Sequence, residues 1–274
     1  MITITQFGPV TRFDLARTLA GRGRYWSSAY LVDGMLVDSG PAHAAHELQE
    51  ALDGKNLARI VNTHTHEDHI GGNALIKRCH PNLEVLAHPL ALPVLADPRG
   101  KQPLHPYRRV FWGWPEPSKG IAIEEGTLLE TEKYCFEVLF TPGHTRDHLC
   151  LYERREGWLF TGDLYVGGRD RAIRAGSEIW EIIQSLKRLA QLPAERLFPG
   201  CARVRDNPGE VLASKAAYLE ELGRRIQDLY QRGMQLPGIT RAACGCPMPV
   251  EILTQGHFSR RHLVLSYLRM EEDG

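Results

Sequence analysis

One short stretch of the sequence, THTHEDHIGG at residues 63–72, concentrates side chains that bind transition metals. Its four candidate ligands are His64, His66, Asp68 and His69. Imidazole and carboxylate donors together suit Zn²⁺ or a similar ion. The apolar run at 57–62 predicts a strand, and alternate residues of a strand project to the same side, so the first two histidines are expected to point one way. The spacing therefore predicts a metal centre on a loop that follows a strand.

Three further motifs lie around this stretch: LVDSG at 36–40, TPGHTRDH at 141–148 and FTGDL at 160–164. Together with HTHEDH and the glycine pair after it, they resemble the signature motifs of the metallo-beta-lactamase superfamily. The resemblance extends over most of residues 20–232. The motif TPGHTRDH and the predicted helices after Gly176 are most similar to the branch that contains glyoxalase II and beta-lactamase-like protein 2.

The resemblance implies two metal ions and assigns a ligand set to each. The implied ligands are His64, His66 and His144 for the first ion, and Asp68 and His69 for the second, with Asp163 between the two. Zinc is the expected metal, and iron and manganese are alternatives. Asp38 is expected to brace the metal loop from behind. His148 is expected either to hydrogen-bond behind the ligands or to be an ordinary strand residue.

The last motif departs from the usual form of the family. The usual Pro-Gly-His supplies a histidine to the second metal, whereas here Pro199 and Gly200 are followed by Cys201. A thiolate binds zinc, so Cys201 is expected to replace that histidine. The alternative is a small buried apolar residue beside a weak or empty second site. His257 and His262 are conceivable replacements, but we expect ordinary helix-start or surface residues.

Composition argues against several classes of function. Lys and Arg total 33 and Asp and Glu total 33, so no overall charge draws the chain to nucleic acid or to an anionic membrane. The N-terminus lacks the basic start and apolar core of a signal peptide, and no stretch approaches the roughly 18 apolar residues of a membrane span. The six cysteines are scattered and do not form a disulfide framework. We expect a cytoplasmic protein that acts on a small molecule; its oligomeric state stays open.

The elements that must position the ligands form a strand-rich pattern, interrupted by helices, that occurs once in each half of the chain. The resemblance implies an α+β fold with α/β/β/α layers, in which two mixed sheets lie face to face with helices outside. We expect a metallo-beta-lactamase-like catalytic domain over residues 1–234 and a C-terminal helical extension over 235–274. Ser177 is expected to cap a helix. The proline-rich segment 97–120 predicts an irregular loop, and an irregular link after Leu236 leads to a final helix near 259–269.

Two groups of residues are candidates for substrate contact. Arg171 and Arg174 follow the third motif and would bind a carboxylate or phosphate, although a solvated loop is the commoner role for such arginines. Tyr107, Trp112 and Trp114 would form an apolar lid over the metals, or else anchor the long loop to the body.

The implied function is metal-dependent hydrolysis of a small ester, thioester or lactone by a metal-bound hydroxide, with Asp68 orienting the nucleophile and carrying its proton. The leading alternative is a single-strand RNA endonuclease of the same fold, which predicts a basic groove leading to the metals. A non-catalytic ligand-binding protein with a degraded second metal site and a mononuclear iron oxygenase are the remaining alternatives. Metal identity and stoichiometry would separate these functions.

Overall fold

Two β-sheets form the centre of the computed structural model, which describes residues 1–19, 21–103 and 105–269. The first sheet has seven strands in chain order: Ile2–Phe7 (β1), Val10–Leu19 (β2), Arg22–Val32 (β3), Met35–Val37 (β4), Arg59–Val61 (β5), Glu84–Ala87 (β6) and Ile121–Ala122 (β7). Strands β1 to β4 pair antiparallel. Strands β4 to β7 pair parallel, so the sheet is mixed.

The second sheet is also mixed and has six strands. They are Leu128–Glu130 (β8), Cys135–Phe140 (β9), Leu149–Glu153 (β10), Trp158–Gly162 (β11), Arg196–Pro199 (β13) and Arg205–Asp206 (β14). Only the β11–β13 pair among these is parallel. Two further short strands, Ile173–Arg174 (β12) and Phe258–Ser259 (β15), pair antiparallel as a separate ribbon.

Helices pack on the outer faces of both sheets, and shorter helices lie in the connections. They are Ala45–Leu52 (α1), Glu67–Ile70 (α2), Asn73–Cys79 (α3), Leu92–Ala96 (α4), Pro98–Lys101 (α5), Pro106–Phe111 (α6), Ile179–Leu189 (α7), Pro208–Gln231 (α8), Leu236–Cys244 (α9), Pro249–Leu253 (α10) and Arg260–Leu268 (α11). In the described part of the chain, none of them is long and apolar enough to cross a membrane.

Three buried apolar clusters separate the layers. Val61 of β5 and Phe160 of β11 belong to the cluster between the sheets. Their neighbours Ile60 and Leu159 belong to the two outer clusters, which pack under helices on either side. Successive residues of a strand face opposite sides of the sheet. A central strand that is apolar on both faces therefore contributes side chains to two buried clusters. The predicted α/β/β/α fold is confirmed.

Three local predictions were wrong. The segment 97–120 contains α5 and α6, and the segment after Leu236 contains α9 and α10, so neither is irregular throughout. Short helices that open on proline are stabilised by tertiary contacts, which sequence periodicity does not reveal. Ser177 does not cap α7, because its hydroxyl donates to the carbonyl oxygen of His144 at 3.0 Å and the N-cap residue is Glu178.

The residues after 235 share a core with the helices before them. Ile239, Leu263 and Tyr267 belong to the same buried cluster as Ile183 of α7 and Leu219 of α8. The boundary between residues 234 and 235 stays a prediction.

Candidate metal centre

The candidate ligands stand on loops that follow four strands, with His64 after β5, His144 after β9, Asp163 after β11 and Cys201 after β13. Strands β11 and β13 are parallel neighbours, so their carboxyl ends lie side by side. The two sheets thus present these loops to one another at a common edge.

Three histidine rings form the first group of donors. The Nδ1 atom of His66 lies 3.0 Å from Nε2 of His64 and 3.0 Å from Nε2 of His144. Burial lowers the pKa of His144 to about 4, and it lowers the pKa of His64 and His66 well below the ordinary value. All three rings are therefore neutral at pH 7, which is the form that binds metal.

A second group joins His64, His69 and Asp163, with one donor atom of each within 4.8 Å of the others. The Nε2 atom of His69 lies 3.5 Å from Oδ2 of Asp163 and 3.8 Å from Oδ2 of Asp68. Burial alone would lower the pKa of His69, but the carboxylates of Asp163 and Asp38 raise it well above its ordinary value. This side of the cluster is therefore anionic and attracts a cation.

Polar atoms left without partners show that a metal ion fits here. Within the described residues, Nε2 of His69 and Oδ1 of Asp163 are buried and have no hydrogen-bond partner. An unpaired buried polar atom costs about 1–3 kcal/mol, so two of them in one cluster indicate a place for a bound cation. The imidazole and carboxylate donors around them suit zinc or a similar ion.

Asp38 fixes the loop from behind. Its Oδ1 accepts from the backbone N–H of Thr63 at 2.7 Å, and its Oδ2 accepts from the Thr63 hydroxyl at 2.8 Å. The same Oδ2 lies 2.7 Å from Nδ1 of His69. A proton held on Nδ1 by this carboxylate orients the ring so that Nε2 is the atom that would bind a metal, in place of its own proton.

Glycines allow the close packing of these loops. A Cβ on Gly71 would lie 2.2 Å from the backbone nitrogen of Ala42, and one on Gly72 would lie 2.4 Å from the carbonyl oxygen of Ser39. A Cβ on Gly200 would lie 2.6 Å from Oδ1 of Asp163. Side chains at these positions would therefore displace the loops that carry the ligands.

Cys201 lies beside Asp163, and both residues line the same cavity. Burial and the charge of Asp163 raise the pKa of the Cys201 thiol well above its ordinary value. Among the described residues, Cys201 belongs to neither converging donor group. His257 belongs to neither group; its Nδ1 lies 2.7 Å from the hydroxyl of Tyr107, and it is buried outside the helices rather than at a helix start or on the surface as expected. His262 belongs to α11, and its backbone N–H donates to Ser259.

His148 packs behind the ligands. Its Nδ1 lies 2.9 Å from the hydroxyl of Thr141, and its ring centroid lies 5.2 Å from that of His64. Burial lowers the pKa of His148 well below its ordinary value, so the ring is neutral.

A buried ion cluster beside the metal loop escaped the sequence reasoning. Glu67 is 0% exposed, and its carboxylate accepts from Nε and Nη2 of Arg108. Nη2 of Arg174 lies 3.3 Å from the same carboxylate. Burial raises the pKa of Glu67, but Arg174 and Arg108 outweigh burial and hold it at about 2. The only signal in the sequence was a charged residue inside the ligand motif.

A cavity of about 330 Å³ opens over the cluster. Its floor contains His66, Asp68, His144, Asp163 and Cys201. Of the candidate substrate residues, Tyr107, Trp112 and Arg174 line it. The lining residues that the structure describes do not include Trp114 or Arg171, and the guanidinium of Arg171 instead donates to the carbonyl oxygens of Cys244 and Cys246.

Comparison with known proteins identifies the family. A sequence model of the metallo-beta-lactamase superfamily matches residues 23–201. The chain belongs to this superfamily. The resemblance predicted from the motifs is confirmed, including its link to glyoxalase II, because curated relatives include hydroxyacylglutathione hydrolases.

Two curated relatives show the range of this superfamily. A hydroxyacylglutathione hydrolase of Synechococcus is 32% identical over 56% of this chain and 52% of its own length. The atrochrysone carboxyl ACP thioesterase of Aspergillus fumigatus is 30% identical over 63% of this chain and 48% of its own length. The chain thus spans about half the length of these relatives.

Solved structures support the fold. A metallo-beta-lactamase family protein of Thermus thermophilus superposes with a TM-score of 0.68 at 20% identity, covering 96% of this chain and 91% of that one. A protein solved in a di-iron-bound form has a TM-score of 0.54 at 29% identity, covering 72% of this chain and 96% of that one.

Proposed function

We propose that this chain is a metal-dependent hydrolase that cleaves small esters or thioesters and binds two zinc ions. The observation that carries the proposal is the pair of donor groups that share His64 and open on one cavity. The names of the relatives, a thioesterase at 30% identity and a hydroxyacylglutathione hydrolase at 32%, support the reaction class.

Each residue of the cluster has a role in this proposal. His64, His66 and His144 would hold one ion, and Asp68, His69, Asp163 and Cys201 would hold the other. Bound divalent ions would supply Lewis-acid activation of water near neutral pH. The Asp68 carboxylate, which lines the cavity, would orient the attacking water and accept its proton.

Arg174 would bind an anionic part of the substrate. Its Nη2 lies 3.3 Å from Glu67, whose charge is already shared with Arg108. The two arginines and one glutamate leave a net positive charge at the wall of the cavity. Arg174 lines the cavity, and within the described residues its side chain hydrogen-bonds to Glu67 through Nη2 alone. A carboxylate fits such a guanidinium.

The lining of the cavity does not favour the endonuclease alternative. Among its described residues, Asp68, Asp163 and Asp170 supply three carboxylates, and Arg174 is the one arginine or lysine. A backbone of phosphates needs a track of cationic side chains instead.

The experiment combines metal analysis with turnover of acetyl-N-acetylcysteamine, a simple thioester. We expect two zinc ions per chain and thiol release at neutral pH. The variant H66A should lose zinc and more than about 100-fold in kcat/KM, because changes behind metal ligands alone cost about 10–100-fold. The control H46A alters an exposed histidine of α1 and should change neither quantity. Full turnover without bound metal would contradict the proposal, and stable binding of ligands without turnover would favour the non-catalytic alternative.

A further inference from the structure

The cavity over the metal cluster has one aromatic wall. Tyr25 and Trp26 of β3 and Phe111 and Trp112 at the end of α6 line it. The ring centroids of Tyr25 and Phe111 are 4.1 Å apart, so strand β3 packs directly on α6. The backbone of Tyr25 has a φ of 55°, which is an uncommon conformation for a bulky residue. The same residue makes the ring contact with Phe111.

The C-terminal extension supplies a second apolar part of the wall. Val250 and Leu253 of α10 and Phe258 of β15 line the cavity. Phe258 pairs in register with Arg174, so the β12–β15 ribbon attaches this wall to the segment that carries the arginine. The extension is therefore part of the cavity and not an appendage remote from it.

Polar side chains on the walls are largely engaged already. Asp170 pairs with Lys215 at 2.8 Å, the hydroxyl of Ser177 donates to the carbonyl oxygen of His144, and the hydroxyl of Thr254 donates to the carbonyl oxygen of Val250. Away from Arg174, a polar group placed against these walls would lose its water without gaining new partners, which costs about 1–3 kcal/mol. An apolar group placed there would gain by leaving water.

We propose that the cavity binds an apolar acyl chain, so that the substrates are medium-chain acyl thioesters or esters. The cavity of about 330 Å³ lies at the small end of the roughly 300–1,000 Å³ range of small-molecule sites, which suits an acyl chain on the order of eight carbons. This inference rests on the proposed function for the reaction. In that reaction water adds to the acyl carbon, the carbon–sulfur bond breaks, and the products are a carboxylate, a proton and a free thiol.

A chain-length series tests the proposal. Acetyl, butanoyl, hexanoyl, octanoyl and dodecanoyl thioesters of N-acetylcysteamine keep the leaving group constant while the acyl chain lengthens. We expect kcat/KM to rise about two- to fourfold per methylene up to roughly eight carbons and then to level off. A flat or falling profile would overturn the proposal.

Two neighbouring residues of α10 provide a matched pair of variants. Leu253 lines the cavity and is 42% exposed, whereas Ile252 is 80% exposed and is not among the lining residues described. L253A should lower the ratio of octanoyl to acetyl kcat/KM by about fivefold or more, since it removes apolar contact at the chain. I252A should leave the ratio unchanged. Equal effects of the two variants would contradict the inference.

A binding measurement separates this inference from the proposed function. Metal-free protein is titrated with the S-octyl and S-ethyl thioethers of N-acetylcysteamine, and the fluorescence of Trp26 and Trp112 reports occupancy, because both line the cavity. We expect the octyl compound to bind at least about tenfold more tightly. Tighter octyl binding without turnover of any ester or thioester would refute the hydrolase and leave the apolar site standing. Equal binding of the two compounds would refute the apolar site.

Discussion

Replacement of Glu67 by glutamine should destabilise the folded protein, although Glu67 is not a candidate metal ligand. The Glu67 carboxylate lies between the guanidinium groups of Arg108 and Arg174 and is fully buried. Its pKa of about 2 means that it is ionised at neutral pH. The variant E67Q removes this charge and leaves the buried guanidinium of Arg108 close to the partly buried guanidinium of Arg174.

The magnitude follows from what each arginine retains. Removal of one partner of a buried ion pair costs about 3–5 kcal/mol. Arg108 keeps hydrogen bonds to the carbonyl oxygen of Pro103 and the side chain of Gln102. The side chain of Arg174 is 11% exposed and can turn toward water in the cavity. We therefore expect the lower end, about 3 kcal/mol, which lowers Tm by roughly 6–12 °C in a chain of this size.

The measurement is the free energy of unfolding in urea, with tryptophan fluorescence as the signal. A chelator must be present in all samples, because lost metal binding would otherwise contribute to the difference. The matched control is E220Q, which breaks an exposed ion pair with Lys187 at 2.8 Å and should cost less than about 1 kcal/mol. A loss in E67Q no larger than in E220Q would refute the reasoning.

A double-mutant cycle isolates the pair itself. In the R108M background, the partner charge is absent, so E67Q should cost about 2 kcal/mol less than it does in the parent chain. Strict additivity of R108M and E67Q would show that the two side chains do not stabilise each other.

The remaining predictions concern the metal loops and the thiols. C201H should raise zinc occupancy of the second site at limiting zinc, as measured by metal analysis, and unchanged occupancy would argue against a poor thiolate ligand. G200A should weaken zinc binding by about 10–100-fold, because the added Cβ would lie 2.6 Å from Oδ1 of Asp163; G209A, whose Cβ would lie 3.2 Å from its nearest neighbour, is the control and should bind zinc normally. Burial raises the pKa of Cys150 to about 12, so at about pH 8 this thiol stays protonated and should resist iodoacetamide until the protein unfolds, whereas the exposed Cys135 reacts. The labelled cysteines are mapped by mass spectrometry. Labelling of Cys150 before the protein unfolds would contradict the prediction.

The grouping of His64 with His66 was predictable because its information is local. His64 and His66 alternate at the end of a short apolar strand, and the glycines that follow allow close packing. The layers of the fold were predictable for a related reason, since strands such as Leu149–Glu153 are apolar on both faces and must be covered twice. Ligand spacing and apolar strands of this kind can be recognised within about ten residues of the sequence.

The surroundings of the ligands were less predictable because their contacts are distant in sequence. Arg108 is 41 residues from Glu67, and Arg174 is 107 residues from it. The ribbon that attaches the extension pairs Ile173 with Ser259 through strands of two residues each, which have no measurable periodicity. Side chains that come into contact only in the folded structure produce no regular spacing in the sequence from which the contact could be predicted.

The ion cluster at Glu67 joins the three segments that define the site. Glu67 belongs to α2 and precedes Asp68, Arg108 belongs to α6 of the aromatic wall, and Arg174 belongs to β12, which pairs with the C-terminal extension. Apolar contacts tolerate small shifts, whereas buried charges need their partners at fixed positions. Loss of Glu67 should therefore disturb the metal loop and the acyl cavity together, whereas loss of Leu253 should alter the cavity alone.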